Sequence, residues 1–310
     1  MVIKILIQLK NINTDNLSIW AKQAKTTIKE ASVIQRIPLL AVANPNWFAV
    51  HICCESGESY GYGDTACIFP LMSLIKPFSL LYLLELLGSK KVLDLVGFNP
   101  SQMPFNSLEQ LITDNGFPRN PMINSGAITV ANKLPGTNGN HRTQLFCEWL
   151  NQLANSNLYL DADILASVRN NRSQVNVSIA QYLQQTQHIE NIELALDTYE
   201  QICCISGKVE DVAKLGKLLA CESSLVNSQH RQIVNDVMLT CGLYEASPHY
   251  AVKIGLPMKS GISGALLAIV PNQGAMPAAS GAIASYSPAL DSIGNSVAGL
   301  AFIEALTHNL

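Results

Sequence analysis

One serine and one lysine in this sequence have a spacing that suits nucleophilic catalysis. They occur in Ser73-Leu-Ile-Lys76, and side chains three residues apart share a helix face, so the amine can reach the hydroxyl. A serine hydroxyl is a weak nucleophile until a base removes its proton, and a buried lysine can be neutral and act as that base. Pro77 is tolerated best in a first helical turn, which places Ser73 at a helix start. We therefore predict Ser73 as nucleophile and Lys76 as its base.

The S-x-x-K spacing alone is weak support, because about one occurrence is expected by chance in a chain of this length. The alternative interpretation is a helix-capping serine followed by a surface lysine. Two features favour catalysis: the residues around Lys76 are strongly apolar, and no other S-x-x-K occurs in the chain.

A second candidate motif is Lys259-Ser260-Gly261, which lies beside a β-like stretch. It resembles the K-T-G edge strand of penicillin-recognising enzymes. A backbone N–H of such a strand, together with the N–H of Ser73, would form an oxyanion hole for a tetrahedral intermediate. We place Lys259 among the substrate-binding residues. The alternative is an ordinary glycine-rich turn.

The elements that must position these motifs follow from hydrophobic spacing and from turn residues. The predicted helices cover residues 16–35, near Ser73 to Gly88, most of 105–220 with a capping box at Ser107–Gln110, and 295–306. The predicted strands cover residues 48–54, a hairpin partner around 60–63, and then 251–255, 264–270 and 281–286. Residues 1–10 are expected to form a short first strand or helix. Strands near both ends predict one sheet, with a helical insert and a cleft between the two.

The composition indicates a folded, soluble protein. The 310 residues suit one large domain or two packed lobes, and 48% hydrophobic against 14% charged residues allows a sizeable core. A net charge of −3 without a long basic run argues against nucleic acid and anionic membranes as partners. The densest apolar run, residues 78–88, is shorter than the roughly 20 residues of a membrane span. We expect a cytoplasmic location.

The cysteines and histidines do not form a metal-binding pattern. The eight cysteines contain no C-x-x-C, and the six histidines form no HxH or HxxxH pair. We interpret the cysteines as small buried residues in a reducing compartment.

With these motifs in place, the sequence resembles the serine-dependent glutaminase family from about residue 25 to 310. The stretches that carry the resemblance are Ile37-Pro38, Gly63-Asp64, Ser73–Pro77, Val96-Gly97, Pro104–Asn106, Gly116–Ile128, Leu196–Tyr199, Cys241–Tyr244, Gly255–Gly261, Ser287–Asp291 and Gly294–Ser296. The resemblance implies an α/β (α+β) fold like that of β-lactamases and penicillin-binding proteins, with a central sheet flanked by helices plus a helical lobe. It also implies an acyl-enzyme, no cofactor, and a homodimer or homotetramer. One catalytic domain would span residues 1–310, with a sheet lobe at about 30–70 and 245–310 and a helical lobe at about 71–244.

The resemblance also implies roles for residues that spacing alone would not single out. Tyr199 and Tyr244 would shuttle protons or orient the leaving nitrogen. Asn124 and Asn176 would bind the head of the substrate, and Ile262, where the family has valine, would supply the second oxyanion N–H. Without the resemblance, such tyrosines would be read as packing residues and such asparagines as turn or cap residues.

Two departures from the family pattern concern the substrate. Arg36 replaces a tyrosine, and Arg169 replaces the glutamate that receives the substrate's α-ammonium; residues 167–176 contain no acidic residue. A guanidinium there repels an ammonium by several kcal/mol, whereas arginine suits carboxylates and phosphates. We therefore predict a small amide or acyl substrate that is anionic or not an amino acid. The alternative is that both arginines turn outward and pair with surface carboxylates.

Two further departures lie close to the catalytic motifs. Met72 precedes the nucleophile where the family has glutamine, and residues 272–281 suggest a loop insertion near the oxyanion strand.

The favoured function is an amide hydrolase that works through acyl-Ser73. The alternatives are an acyltransferase or cyclising enzyme that uses the same machinery, and a catalytically silent homologue.

Overall fold

A five-stranded antiparallel sheet forms the centre of the protein in the computed structural model, which describes Leu9 and residues 12–272 and 280–309. Most of the predicted first element, residues 1–10, and most of the predicted loop insertion, residues 272–281, lie outside the described residues. The strands are β1 (Ala49–Cys54), β2 (Ser59–Gly63), β3 (Ile68–Pro70), β4 (Tyr159–Leu160), β5 (Ile205–Lys208), β6 (Met258–Ser260), β7 (Ala265–Val270) and β8 (Gly281–Tyr286). The central sheet has the order β2-β1-β8-β7-β6, so strands from both ends of the chain pair, as predicted.

Fourteen α-helices surround this sheet in the described part of the chain. They are α1 (Thr14–Lys25), α2 (Pro38–Ala41), α3 (Lys76–Leu87), α4 (Ser89–Leu93), α5 (Leu108–Thr113), α6 (Asn124–Asn132), α7 (Gly139–Ala154), α8 (Ala162–Asn170), α9 (Gln174–Gln185), α10 (Ile192–Cys203), α11 (Val209–Ala220), α12 (Ser228–Cys241), α13 (Ser247–Lys253) and α14 (Val297–Asn309). Short 3₁₀ turns cover Thr26–Glu30, Met72–Ile75 and Tyr244–Ala246. Among the described residues, no helix is both long and apolar enough to cross a bilayer.

The sheet separates two hydrophobic cores because side chains of a strand point alternately to its two faces. Leu267 and Ile269 of β7 belong to the larger core, which includes α11 and the other helices between residues 76 and 241. Leu266 and Ala268 face the smaller core, which α1 and α14 cover. The resulting helix–sheet–helix arrangement makes both faces of β7 and β8 fully buried.

A second sheet of three short strands, in the order β3-β5-β4, lies within the predominantly helical part of the chain. Strand β3 leads directly into the turn that carries Ser73, and the N–H of Leu71 donates to the carbonyl of Ile205 at 2.8 Å. This hydrogen bond anchors the start of the turn to β5. The small sheet was not predicted, since strands of two to four residues carry almost no periodic signal.

Several predicted elements are confirmed. Strands β1 and β2 form the expected hairpin, with Ala49 opposite Gly63. The long buried helix α3 ends before Gly88, whose φ of 78° is the left-handed conformation that glycine adopts most easily.

Three local predictions are wrong in detail. Residues 251–255 were expected to form a strand but belong largely to α13, because Pro248 stabilises a helix start and local apolar residues do not distinguish the two states. The first helix ends at Lys25 rather than residue 35, after which the chain tightens into a 3₁₀ turn. Ser107 caps α5 by accepting from the N–H of Gln110, but the Gln110 side chain donates to Asp114, so the reciprocal half of the capping box is missing.

Candidate active site

Ser73 lies in a strained turn at the start of the long buried helix. The 3₁₀ turn Met72–Ile75 continues directly into α3, and Ser73 is only 7% exposed. Met72, the residue before it, has a φ of 49°, a conformation that side chains other than glycine rarely adopt. In the first turn of a helix the backbone N–H groups have no intrahelical acceptor. The predicted position of the serine at a helix start is therefore confirmed.

Lys76 is buried without a carboxylate partner. Its side chain is 1% exposed, and none of the ion pairs in the described part of the chain includes it. The amine donates to the carbonyl of Met122 at 3.1 Å and to Oδ1 of Asn124 at 2.8 Å. Burial lowers the pKa of Lys76 to about 8, because an ammonium loses its hydration in this environment. The amine is thus held in a position where it can exist uncharged near neutral pH.

Tyr244 is the hydroxyl neighbour of the nucleophile. Its hydroxyl donates to the carbonyl of Ser260 at 3.3 Å, and the Ser73 hydroxyl is among the groups that lower the pKa of Tyr244. Burial raises the pKa of Tyr244 to about 12, so the phenol is protonated at neutral pH. The residue has a φ of 57°, the second strained backbone position at the site.

Tyr199 and the two predicted asparagines form one hydrogen-bonded chain with Lys76. The Tyr199 hydroxyl donates to Oδ1 of Asn124 at 3.2 Å, and Nδ2 of Asn124 donates to Oδ1 of Asn176 at 2.8 Å. Helices α6, α9 and α10 supply these three side chains. The structure therefore brings together Lys76, Tyr199, Asn124 and Asn176, as the family resemblance implied.

Strand β6 lies at the edge of the central sheet and ends against the Ser73 turn. A Cβ atom on Gly261 would lie 2.5 Å from the carbonyl oxygen of Leu71, so only glycine permits this approach. The N–H of Gly261 donates to Ala265 at 2.8 Å, whereas that of Ile262 has no protein acceptor among the described residues. The N–H groups of Ile262 and Ser73 are consequently both available to an oxyanion.

Lys259 is fully buried beneath Tyr244. Its amine donates to the carbonyl of Ser260 at 2.8 Å and lies 4.3 Å from the centre of the Tyr244 ring. Burial holds the pKa of Lys259 well below its usual range, and the nearby Lys76 lowers it further. Lys259 therefore lies within the cluster of predicted site residues, in contact with Tyr244.

The two arginines that depart from the family pattern lie at the surface beside the site. Arg36 is exposed and donates to the carbonyl of Asn171 at 3.3 Å. Arg169, at the end of α8, is 42% exposed and forms an ion pair with Asp197 of α10. The pairing of Arg169 with a carboxylate is the arrangement that the alternative interpretation expected.

Two contacts of the site had not been predicted. The carbonyl of Met122 receives a hydrogen bond from Lys76, and a backbone acceptor has no sequence signal. Cys203 lies one helical turn after Tyr199, and burial raises the pKa of its thiol to about 11 while the Tyr199 hydroxyl is one of the groups that lower it. The spacing of four residues on α10 could have indicated this second contact.

The described part of the chain has no disulfide and no cluster of metal ligands. All eight cysteines are free, and all except Cys67 are buried. Across residues 12–272 and 280–309, no group of three or more His, Cys, Asp or Glu side chains could hold a metal ion.

Comparison with known proteins identifies the family and agrees with the fold. The family model for glutaminases matches residues 32–310. The chain is 40% identical over 298 residues to a glutaminase from Synechocystis sp., an alignment that covers 96% of this chain and 89% of that protein. It is 32% identical to glutaminase 2 of Bacillus subtilis over 305 residues, 96% of each chain.

Solved structures show the same fold. A probable glutaminase from Bacillus subtilis superposes with a TM-score of 0.86 at 27% identity, over 94% of this chain and 95% of that one. Another is a covalent complex of a Bacillus subtilis glutaminase with 5-oxo-L-norleucine, formed by reaction with 6-diazo-5-oxo-L-norleucine. Its TM-score is 0.84 at 26% identity, covering 94% and 96% of the two chains.

The fold and the site together define a serine-dependent amidohydrolase with a β-lactamase-like fold, acting on a small-molecule amide. Within this class, the chain belongs to the glutaminase family.

Proposed function

We propose that the protein hydrolyses a carboxamide through an acyl-Ser73 intermediate, with a specificity shifted away from free L-glutamine. Ser73 Oγ attacks the amide carbon while its proton passes to the neutral amine of Lys76. The carbonyl oxygen becomes an oxyanion between the N–H groups of Ser73 and Ile262. The C–N bond then breaks, and the Tyr244 hydroxyl donates a proton to the departing nitrogen. The ammonium of Lys76 returns a proton to the Tyr244 phenolate and becomes a neutral amine again. This amine deprotonates a water molecule, which attacks the ester carbon; the bond from that carbon to Ser73 Oγ breaks, and Oγ takes the proton back from Lys76 as the carboxylic acid leaves.

The buried and unpaired amine of Lys76 is the observation that carries this mechanism. A lysine that served only to stabilise the fold would be expected to pair with a carboxylate or to reach solvent. Lys76 instead contacts a carbonyl and an amide oxygen, both of which leave it free to gain and lose a proton. The related Bacillus subtilis glutaminase that reacts covalently with a glutamine analogue supports the acyl-enzyme.

The charges beside the site support the altered specificity. The acidic residues of α10 are already paired with arginines: Asp197 with Arg169, and Glu193 and Glu200 with Arg172 at 3.0 and 2.9 Å. An α-ammonium would therefore meet guanidinium groups or neutralised carboxylates where the family supplies a free glutamate. Since Arg169 is occupied by Asp197, the exposed Arg36 is the stronger candidate for contact with an anionic group.

Labelling of the nucleophile tests the acyl-enzyme. We expect a fluorophosphonate probe to label Ser73 in the wild-type protein, as read by peptide mass spectrometry, and Ser73→Ala to abolish the label. Absence of labelling across a range of pH would overturn the mechanism. A homo-oligomer and a single catalytic domain with sheet and helical lobes, as the family resemblance implies, belong to the same proposal. So does the cytoplasmic location that the composition led us to expect.

The pH dependence follows from the pKa of Lys76, about 8. The base must be uncharged, so kcat/KM should rise about tenfold per pH unit below this pKa and level off above it. Burial lowers the pKa of Lys76. At acidic pH its amine is protonated and no longer acts as a base, so activity falls as the pH is lowered. Initial rates on one amide substrate between pH 5 and about 9 test this shape. A flat profile across this range would exclude Lys76 as the base.

A further inference from the structure

Lys259 is a second buried amine in the catalytic cluster, and its geometry is unusual for a substrate-binding lysine. The side chain has no measurable exposure, and none of the described ion pairs includes it. Its hydrogen bond goes to the carbonyl of Ser260, its own neighbour on β6. A lysine that captures a substrate carboxylate needs a positive charge and an open path to the ligand.

The Ser260 carbonyl is the point where Lys259 and Tyr244 meet. Both side chains donate to this one oxygen, Lys259 at 2.8 Å and Tyr244 at 3.3 Å. The Tyr244 ring lies over the amine, with 4.3 Å between Nζ and the ring centre. Ser260 itself is held from the other side, because its hydroxyl donates to Oδ1 of the fully buried Asn295 at 2.6 Å.

Tyr244 needs such support because its backbone is strained. With a φ of 57°, it occupies a conformation that residues other than glycine rarely adopt and that persists only when neighbouring groups determine it. Its ring packs against Phe105, with 4.5 Å between ring centres, and against the Lys259 amine. Loss of the amine would leave the phenol free to move away from Ser73.

We propose that Lys259 is a positioning residue that acts through Tyr244, holding its ring and the Ser260 carbonyl, rather than a residue that binds substrate. The inference rests on the proposed acyl-Ser73 chemistry and adds to it the reason why Tyr244 stays beside the nucleophile. The buried setting agrees with this role, because burial and the neighbouring Lys76 both disfavour a charged Lys259. A neutral amine can still donate to the carbonyl but attracts a carboxylate poorly.

The test measures how fast the fluorophosphonate probe labels Ser73, since this small probe needs no head-group contacts and its fluoride, like an amide nitrogen, leaves faster when the Tyr244 hydroxyl donates to it. We expect Lys259→Met to lower the labelling rate constant about 100-fold and to leave KM for the amide substrate within about threefold. Lys259→Gln keeps an N–H donor, so its labelling rate constant should be within about tenfold of the wild-type value. When Tyr244 is already replaced by phenylalanine, the added Lys259→Met change should lower the labelling rate constant by less than about threefold. The effect is small because both changes disrupt the same interaction.

Lys253→Met is the matched control. Lys253 also lies over a tyrosine ring, 6.0 Å from the centre of Tyr250, but it pairs with Glu304 at the surface, outside the site. We expect Lys253→Met to leave the rate of Ser73 labelling unchanged. A Lys259→Met protein that labels at the wild-type rate, or that raises KM alone, would overturn the positioning role while leaving acyl-Ser73 chemistry intact. Failure to label the wild type would instead refute the proposed function itself. Thermal unfolding of each variant separates loss of fold from loss of positioning.

Discussion

Replacing Lys76 by methionine is expected to reduce kcat by about 10³-fold or more, the largest loss that we predict for a single side chain other than Ser73. Methionine is similar in length to lysine and fits an apolar environment, but it cannot accept a proton. The neighbours that bury the amine would remain, since Lys76 is surrounded by the larger core and not by charged partners. The steady-state rate on an amide substrate, measured at a pH above about 8, checks the result.

Stability separates this effect from simple unfolding. Because Lys76 has no carboxylate partner, its replacement leaves no buried charge behind, and the midpoint of thermal unfolding should stay close to that of wild type. Two acceptors, the carbonyl of Met122 and Oδ1 of Asn124, lose a donor, which limits any gain in stability. A folded Lys76→Met protein whose kcat stays within about tenfold of wild type would exclude Lys76 as the base.

Replacing Arg169 by glutamate is expected to increase the preference for L-glutamine. The change puts a carboxylate where the family resemblance places the acceptor of the α-ammonium, and it ends the ion pair with Asp197. We expect the ratio of kcat/KM for L-glutamine to kcat/KM for glutaramate, its analogue without the α-amino group, to rise about 30-fold, or about 2 kcal/mol. The ratio is the useful measure because changes in folding or in acylation affect both substrates equally.

Two further variants show whether the position or only the net charge matters. Arg169→Gln removes the guanidinium without adding an acid and should give an intermediate ratio. Lys91→Glu reverses a charge on the exposed surface of α4 and should leave the ratio unchanged. A wild-type protein that already hydrolyses L-glutamine efficiently, with a KM near about 1 mM, would contradict the altered specificity. An unchanged ratio in Arg169→Glu would show that residue 169 does not contact the substrate head.

The partner of Arg169 is decided by the fold rather than by the local sequence. From the sequence, Arg169 is only a positive charge at an unexpected position, and its partner cannot be identified. Asp197 lies 28 residues away, on a helix that is adjacent only after folding. Because Arg169 is paired, Arg36 is the arginine more available to contact an anionic group of the substrate. Its guanidinium donates to a single backbone carbonyl in the described chain.

The sequence by itself determined the features that depend on local order. The strands β7 and β8, the hairpin of β1 and β2, and the position of Ser73 at the start of the buried helix could all be predicted from short stretches. Each reflects a period or a turn residue that acts over a few neighbours. Residues 251–255 show the limit of this reasoning, since so short an apolar stretch fits either a strand or the helix that it forms.

Contacts between side chains on separate helices and strands depend on the tertiary structure. Lys76 and Asn124 are 48 residues apart, and the Tyr244 hydroxyl meets the carbonyl of Ser260 across the end of the edge strand. Lys259 could be recognised from its motif, but its place under the Tyr244 ring could not. Such contacts arise from the packing of α3, α6 and α10 in the larger core and from the position of β6 at the sheet edge, and no local pattern encodes the distance between side chains on separate elements.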